Sequence, residues 1–98
     1  MMDATIKAKW VKALRSGAYQ QGEHMLKTPD GDYCCLGVLR HLIEGDFDSN
    51  EDETFLNERH GLPGIKVQEH LANLNDGTGA WYERFTFAEI ADYIDANL

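Results

Sequence analysis

The sequence has few of the features that mark a specialised class of protein. Its 98 residues include only two cysteines, two prolines and nine lysines or arginines, against 17 aspartates or glutamates. No apolar run approaches the roughly 20 residues that a membrane-spanning helix needs, so we expect no membrane association. The first 17 residues alternate charged with apolar side chains and lack the apolar centre of a secretory signal. We therefore expect a protein that is not exported.

The two cysteines, Cys34 and Cys35, are neighbours in the chain. Adjacent residues do not reach the Cα separation of an ordinary disulfide, so two free thiols and a reducing, cytoplasmic compartment are predicted. The four histidines are scattered, and no CxxC or HExxH spacing occurs, so we expect no metal and no cofactor. Two alternatives stay open at this point. One is a catalytic thiol with a histidine base, and the other is a structural zinc site.

Negative charge is concentrated outside the first segment. Residues 1–15 carry four basic side chains against one acid, a net +3, whereas residues 16–98 carry −11. The densest acidic run, residues 44–58, is named here the acidic segment. Its acidic members are Glu44, Asp46, Asp48, Glu51, Asp52, Glu53 and Glu58. This charge repels phosphate backbones, so direct nucleic-acid binding is not expected. It would suit a basic site on another protein, and simple solubility is the alternative reading.

Apolar residues make up 43% of the chain, including ten aromatics, which predicts one globular domain over residues 1–98. Residues 4–16 have the apolar spacing of an amphipathic helix, with Trp10 in the stripe. Asp3 is placed as its N-cap and Gly17 as the glycine that ends it.

Pro29-Asp30-Gly31 is a tight-turn signal, and we predict a small β-hairpin around residues 23–35. Residues 34–44 then predict a buried central helix whose apolar face includes Leu42 and Ile43. Gly37 inside that helix costs about 1 kcal/mol relative to alanine. It therefore predicts close approach of another element, with the Trp10 helix as the expected neighbour.

Three further helices are predicted. A short one is placed within residues 46–59, a second within residues 65–74, and a last one after Thr86, which forms a capping box with Glu89. The predicted fold class is mainly α (α+β), a compact single domain of three to five helices with the small hairpin.

Trp81 and Tyr82 lie in a glycine-flanked loop beside Arg84. Adjacent aromatics next to a cation suit a planar ligand or a protein interface, although Trp81 folded over the helices is the alternative. These three residues form one part of the predicted binding surface. The other part is acidic and consists of Asp48, Glu51, Asp52 and Glu53.

Two blocks of the chain resemble a known group of proteins. The first combines the run from Trp10 to Gly17 with Tyr19-x-Gln21 and Tyr33-Cys34-Cys35-Leu36-Gly37-Val38-Leu39. The second combines Leu74-Asn75-Asp76 with the ending from Phe87 to Ile94. Together they are similar to a family of small uncharacterised proteins from tailed bacteriophages and prophages. The resemblance implies an accessory protein in the cytoplasm of the bacterial host, and it implies no activity, catalytic residue or ligand.

The leading hypothesis is a small acidic, non-enzymatic protein that binds and modulates a host or anti-phage defence protein. A second hypothesis is a binder of small phosphorylated molecules such as nucleotides, using the basic first helix, Arg84 and the aromatic loop. A cysteine-dependent enzyme is a third. The aromatic loop would equally well mediate a homodimer.

Overall fold

The first helix covers the same residues that the apolar pattern of the sequence predicts. A computed structural model describes residues 2–22, 26–45, 62–77 and 84–98. Helix α1 spans Ala4–Ser16. The Asp3 carboxylate accepts hydrogen bonds from the backbone N–H groups of Thr5 and Ile6, and Gly17 ends the helix in the left-handed conformation. Both predicted helix caps are confirmed.

Three more helices follow in the described ranges. Helix α2 spans Cys35–Glu44, α3 spans Ile65–Asp76 and α4 spans Phe87–Asn97. The predicted capping box at the start of α4 is present: the Thr86 hydroxyl accepts from the Glu89 N–H at 3.2 Å, and the Glu89 carboxylate accepts from the Thr86 N–H at 3.0 Å. A mainly helical fold is confirmed.

The core is formed where the four helices meet. Helix α1 packs mainly against α4, while α2 contacts both α1 and α3. The largest side chains with no solvent exposure come from all four helices: Trp10, Leu36, Leu39, Leu71, Ile90 and Ile94. The Trp10 indole N–H donates to the Cys35 carbonyl at 2.8 Å, so the largest core residue also ties α1 to the start of α2.

The predicted β-hairpin is wrong, although its turn is present. The Gly31 N–H donates to the Thr28 carbonyl at 2.9 Å and the Thr28 N–H to the Asp32 carbonyl at 2.8 Å, which closes the turn. In the described residues the flanks form only isolated bridges, in which Tyr33 pairs with both Gln21 and Lys27. Cys34 already caps α2, so the returning arm is too short to form a ladder.

Gly37 marks a close approach, but its neighbour is not the Trp10 helix. The atom nearest to the place of a Cβ on Gly37 is the carbonyl oxygen of Leu26. That carbonyl accepts from the Cys34 N–H at 3.3 Å, so the chain at Leu26 lies directly on the first turn of α2. The close approach was predictable from the glycine, whereas the segment that makes it was not.

The short helix predicted within residues 46–59 lies outside the described residues. Among the helices of the described ranges, none has the length and apolar character needed to cross a membrane.

Candidate functional site

Both thiols are packed at the start of α2. Cys34 is 6% exposed and Cys35 has no exposure. The Cys34 sulfur serves as the N-cap and accepts from the Gly37 N–H at 3.4 Å, and the Cys35 thiol donates to the Leu71 carbonyl at 3.6 Å. Burial raises the pKa of Cys34 from 9.0 to about 11 and raises the pKa of Cys35 well above its ordinary value. The raised pKa values favour the neutral thiol over the more nucleophilic thiolate at pH 7.

We predict slow alkylation of both cysteines in the folded protein. A shift of the Cys34 pKa from 9.0 to about 11 lowers its thiolate fraction at neutral pH about 100-fold, and burial slows access further. The measurement is iodoacetamide labelling followed by mass spectrometry, with the same protein in urea as the reference. The labelling rate should keep rising with pH beyond 9, because the folded thiol ionises later than the unfolded one. If the folded protein were labelled as fast as the protein in urea, the catalytic-thiol hypothesis would be supported.

A buried amide joins three segments beside the cysteines. Asn75, near the end of α3, has no solvent exposure. Its Oδ1 accepts from the Cys35 N–H at 3.2 Å and from Gln21 Nε2 at 3.1 Å, and its Nδ2 donates to the Gly22 carbonyl at 2.8 Å. The first turn of a helix has N–H groups with no intrahelical acceptor, and Asn75 supplies one for α2. This polar cluster is therefore an internal brace.

An aromatic group of three rings covers the outer side of α2. The Tyr19 hydroxyl and His41 Nδ1 lie 2.6 Å apart, and the Tyr19 and Tyr33 rings meet edge-on with centroids 5.2 Å apart. The His41 ring is 5.6 Å from that of Tyr33, and the Lys27 ammonium lies 5.7 Å from the centre of the Tyr33 ring. The three rings are half-buried and pack against one another. Their contacts hold Tyr19 and Tyr33 against His41 of α2.

Of the predicted aromatic surface, only Arg84 is among the described residues, while Trp81 and Tyr82 lie outside them. Arg84 is exposed, and its backbone lies so near Gly77 that a Cβ on the glycine would come within 3.0 Å of the Arg84 nitrogen. The next residue, Phe85, donates its N–H to the Leu74 carbonyl at 2.7 Å. Gly77 and Arg84 are thus held side by side.

The four acidic residues of the predicted surface, Asp48, Glu51, Asp52 and Glu53, also lie outside the described residues. Described residues on either side of the acidic segment in the chain carry an unexpected feature. At the end of α2, Leu42 and Ile43 are 38% and 37% exposed, and at the start of α3, Ile65 is 39% exposed. The predicted burial of Leu42 and Ile43 is therefore wrong. Apolar periodicity does not reveal that the last turn of α2 extends beyond the core.

The basic residues of the first segment lie along α1. Lys9, Lys12 and Arg15 are exposed, and Lys7 is half-buried. Arg15 pairs with Asp92 on α4 at 2.7 Å. The net positive charge predicted for residues 1–15 is therefore displayed on one helix of an otherwise acidic chain.

No group of three or more histidine, cysteine or acidic side chains converges as a metal site in the part of the chain that the structure describes. His41 is held by the aromatic group, and the His70 ring lies 5.2 Å from the ring of Tyr93 on α4. Neither histidine is placed with both cysteines, and His24 and His60 lie outside the described ranges.

Comparison with known proteins finds one family. The family model described as Domain of unknown function (DUF8296) matches residues 2–67, about two thirds of the chain. No curated protein and no solved structure matches the chain.

Proposed function

The chain belongs to the DUF8296 family, and we propose that it is a small phage-type accessory protein that acts without catalysis. It binds a host or anti-phage defence protein in the bacterial cytoplasm through that partner's basic surface. The observation that carries the proposal is the exposure of Leu42 and Ile43, just before the acidic segment, and of Ile65, seven residues after Glu58. The phage context rests on the resemblance of the blocks from Trp10 to Gly17, from Tyr33 to Leu39 and from Phe87 to Ile94 to proteins of tailed bacteriophages.

Apolar residues beside acidic ones form a combination that suits a protein partner. Protein interfaces place apolar side chains in a desolvated centre and charged side chains at a wetter rim. The three exposed apolar residues suit the first part, and the charge of the acidic segment suits the second. Its negative charge steers the protein toward a positive surface and away from nucleic acid.

Charge reversal in the acidic segment tests the proposal. The partner is first retained from lysate of a phage-susceptible bacterium and purified, and its affinity is then measured by titration calorimetry. We expect the variant E51K/D52K to bind about tenfold more weakly at low salt, because two attractive charges become repulsive. The difference should shrink as salt is raised, since exposed charges are screened.

A matched variant controls for net charge. D30K/E69K makes the same change in charge at two exposed residues of the described ranges, on the turn before α2 and on α3. We expect it to retain most of the affinity of the original protein. Equal losses in the two variants would show that only overall charge matters and would sink the assignment of the acidic segment as the interface. The fourfold variant at Asp48, Glu51, Asp52 and Glu53 should extend the loss seen with two changes.

The small-molecule alternative draws support from a different face of the molecule. A groove lies on the basic side of α1, away from the acidic segment in the chain. The residues that line the groove are not part of the proposed protein interface.

A further inference from the structure

A groove of about 610 Å³ runs along α1 beside the C-terminal part of α4. Two neighbouring rows of side chains on α1 line it. The residues within each row are four positions apart, as helix geometry requires. One row contains Lys7, Val11 and Arg15, and the other contains Ala8 and Lys12. Asp95 of α4 lies on the opposite side. The volume falls in the range of about 300–1,000 Å³ that small-molecule sites occupy in proteins.

The groove carries two cations that no carboxylate neutralises among the described residues. Lys7 Nζ donates to the backbone carbonyl of Asp95 at 3.2 Å, and Lys12 has no ion pair within the described ranges. Arg15 is the exception, since it pairs with Asp92 at 2.7 Å and lies 3.9 Å from Asp95. The groove lining carries three cations, Lys7, Lys12 and Arg15, against the one carboxylate of Asp95, a local excess of positive charge on a chain with a net charge of −8. An anion would compensate it.

Part of the groove lining is aliphatic. Val11 is 7% exposed at the bottom of the groove, and Ala8 lies beside it. The methylene stems of Lys7 and Lys12 extend the apolar surface toward the rim. A ligand that fits therefore has an apolar body against Val11 and an anionic group near the two ammonium groups.

We propose that this groove binds a small organic phosphate with an aliphatic body, its phosphate held by Lys7 and Lys12. Two uncompensated ammonium groups match a phosphate, which carries more charge than a carboxylate and more acceptor oxygens. Among the described residues no aromatic ring lines the groove, so they offer no surface on which a nucleotide base would stack. The site thereby differs from the nucleotide site expected from the sequence, which relied on Arg84 and the aromatic loop.

The test is an amide chemical-shift titration by NMR at low ionic strength with octyl phosphate as the probe. We expect shifts confined to α1 residues 7–16 and to the region of Asp95. Octanoate and adenosine monophosphate are titrated in parallel, because the first lacks the phosphate and the second lacks the aliphatic body. Both should bind about tenfold more weakly than octyl phosphate. Equal affinity for octanoate would overturn the phosphate assignment, and equal affinity for the nucleotide would overturn the aliphatic one.

Two charge reversals on the same helix decide whether the groove is the site. Lys12→Glu places a negative charge in the groove, while Lys9→Glu makes the same change at an exposed residue that does not line it. We expect K12E to weaken octyl phosphate binding about tenfold and K9E to leave it within about twofold. Equal effects of the two variants, or shifts spread over the whole surface, would refute the site. Neither result bears on the acidic interface, which the partner titration tests separately.

Discussion

Replacing Gly37 with alanine is expected to destabilise the protein by about 3 kcal/mol or more. A methyl group on Gly37 would overlap the carbonyl oxygen of Leu26 and lie 2.6 Å from its carbonyl carbon. Backbone atoms cannot rotate away as a side-chain tip can, so the segment at Leu26 or the start of α2 must shift. Such a shift would also break the hydrogen bond from the Cys34 N–H to the Leu26 carbonyl. The loss in free energy of unfolding is measured by urea unfolding that is monitored by circular dichroism.

Gly17→Ala is the matched control for this prediction. Gly17 has a φ of 76°, and a Cβ there would meet nothing within 4 Å. Its substitution therefore introduces backbone strain without overlap, at a cost of about 1 kcal/mol. If G37A destabilises the protein no more than G17A does, the close approach of Leu26 to α2 is incorrect.

Replacing Asn75 with alanine is expected to cost about 3 kcal/mol. The variant would leave the Cys35 N–H and the Gly22 carbonyl without the partners they have at 3.2 Å and 2.8 Å. Each buried polar group left without a partner costs about 1–3 kcal/mol, and the cavity adds to the loss. Gln21 would also lose one of its two acceptors, since its Nε2 is shared between Asn75 and the Phe85 carbonyl.

Asn97→Ala provides the comparison for Asn75. Its side chain also donates to a backbone carbonyl, that of Tyr93 at 2.9 Å, but the residue is exposed at the end of α4. Water replaces that partner, so we expect a change within about 0.5 kcal/mol. Chemical unfolding gives the free energy of unfolding of both variants. Similar small losses of stability would mean that Asn75 does not brace the three segments.

The candidate site was less predictable than the fold. The basic character of α1 follows directly from the positions of its lysines and arginines in the sequence. The groove does not, because it depends on how closely α4 approaches Val11 and on where Asp95 lies. Likewise, the acidic segment is evident from composition. The exposure of Leu42, Ile43 and Ile65, on either side of it in the chain, is set by how far the core extends.

The sequence by itself determined where the helices of the described residues lie. Residues 4–16, the capping box at Thr86 and Glu89, and the turn at Gly31 depend on contacts within a few positions along the chain, and local patterns encode such contacts. Only the tertiary structure decided which segments meet. It placed Leu26 on Gly37 and Asn75 between α2 and the chain at Gly22, and it left no room for a hairpin ladder before α2. These contacts join segments distant in sequence, so the packing of the whole core selects them rather than any local preference.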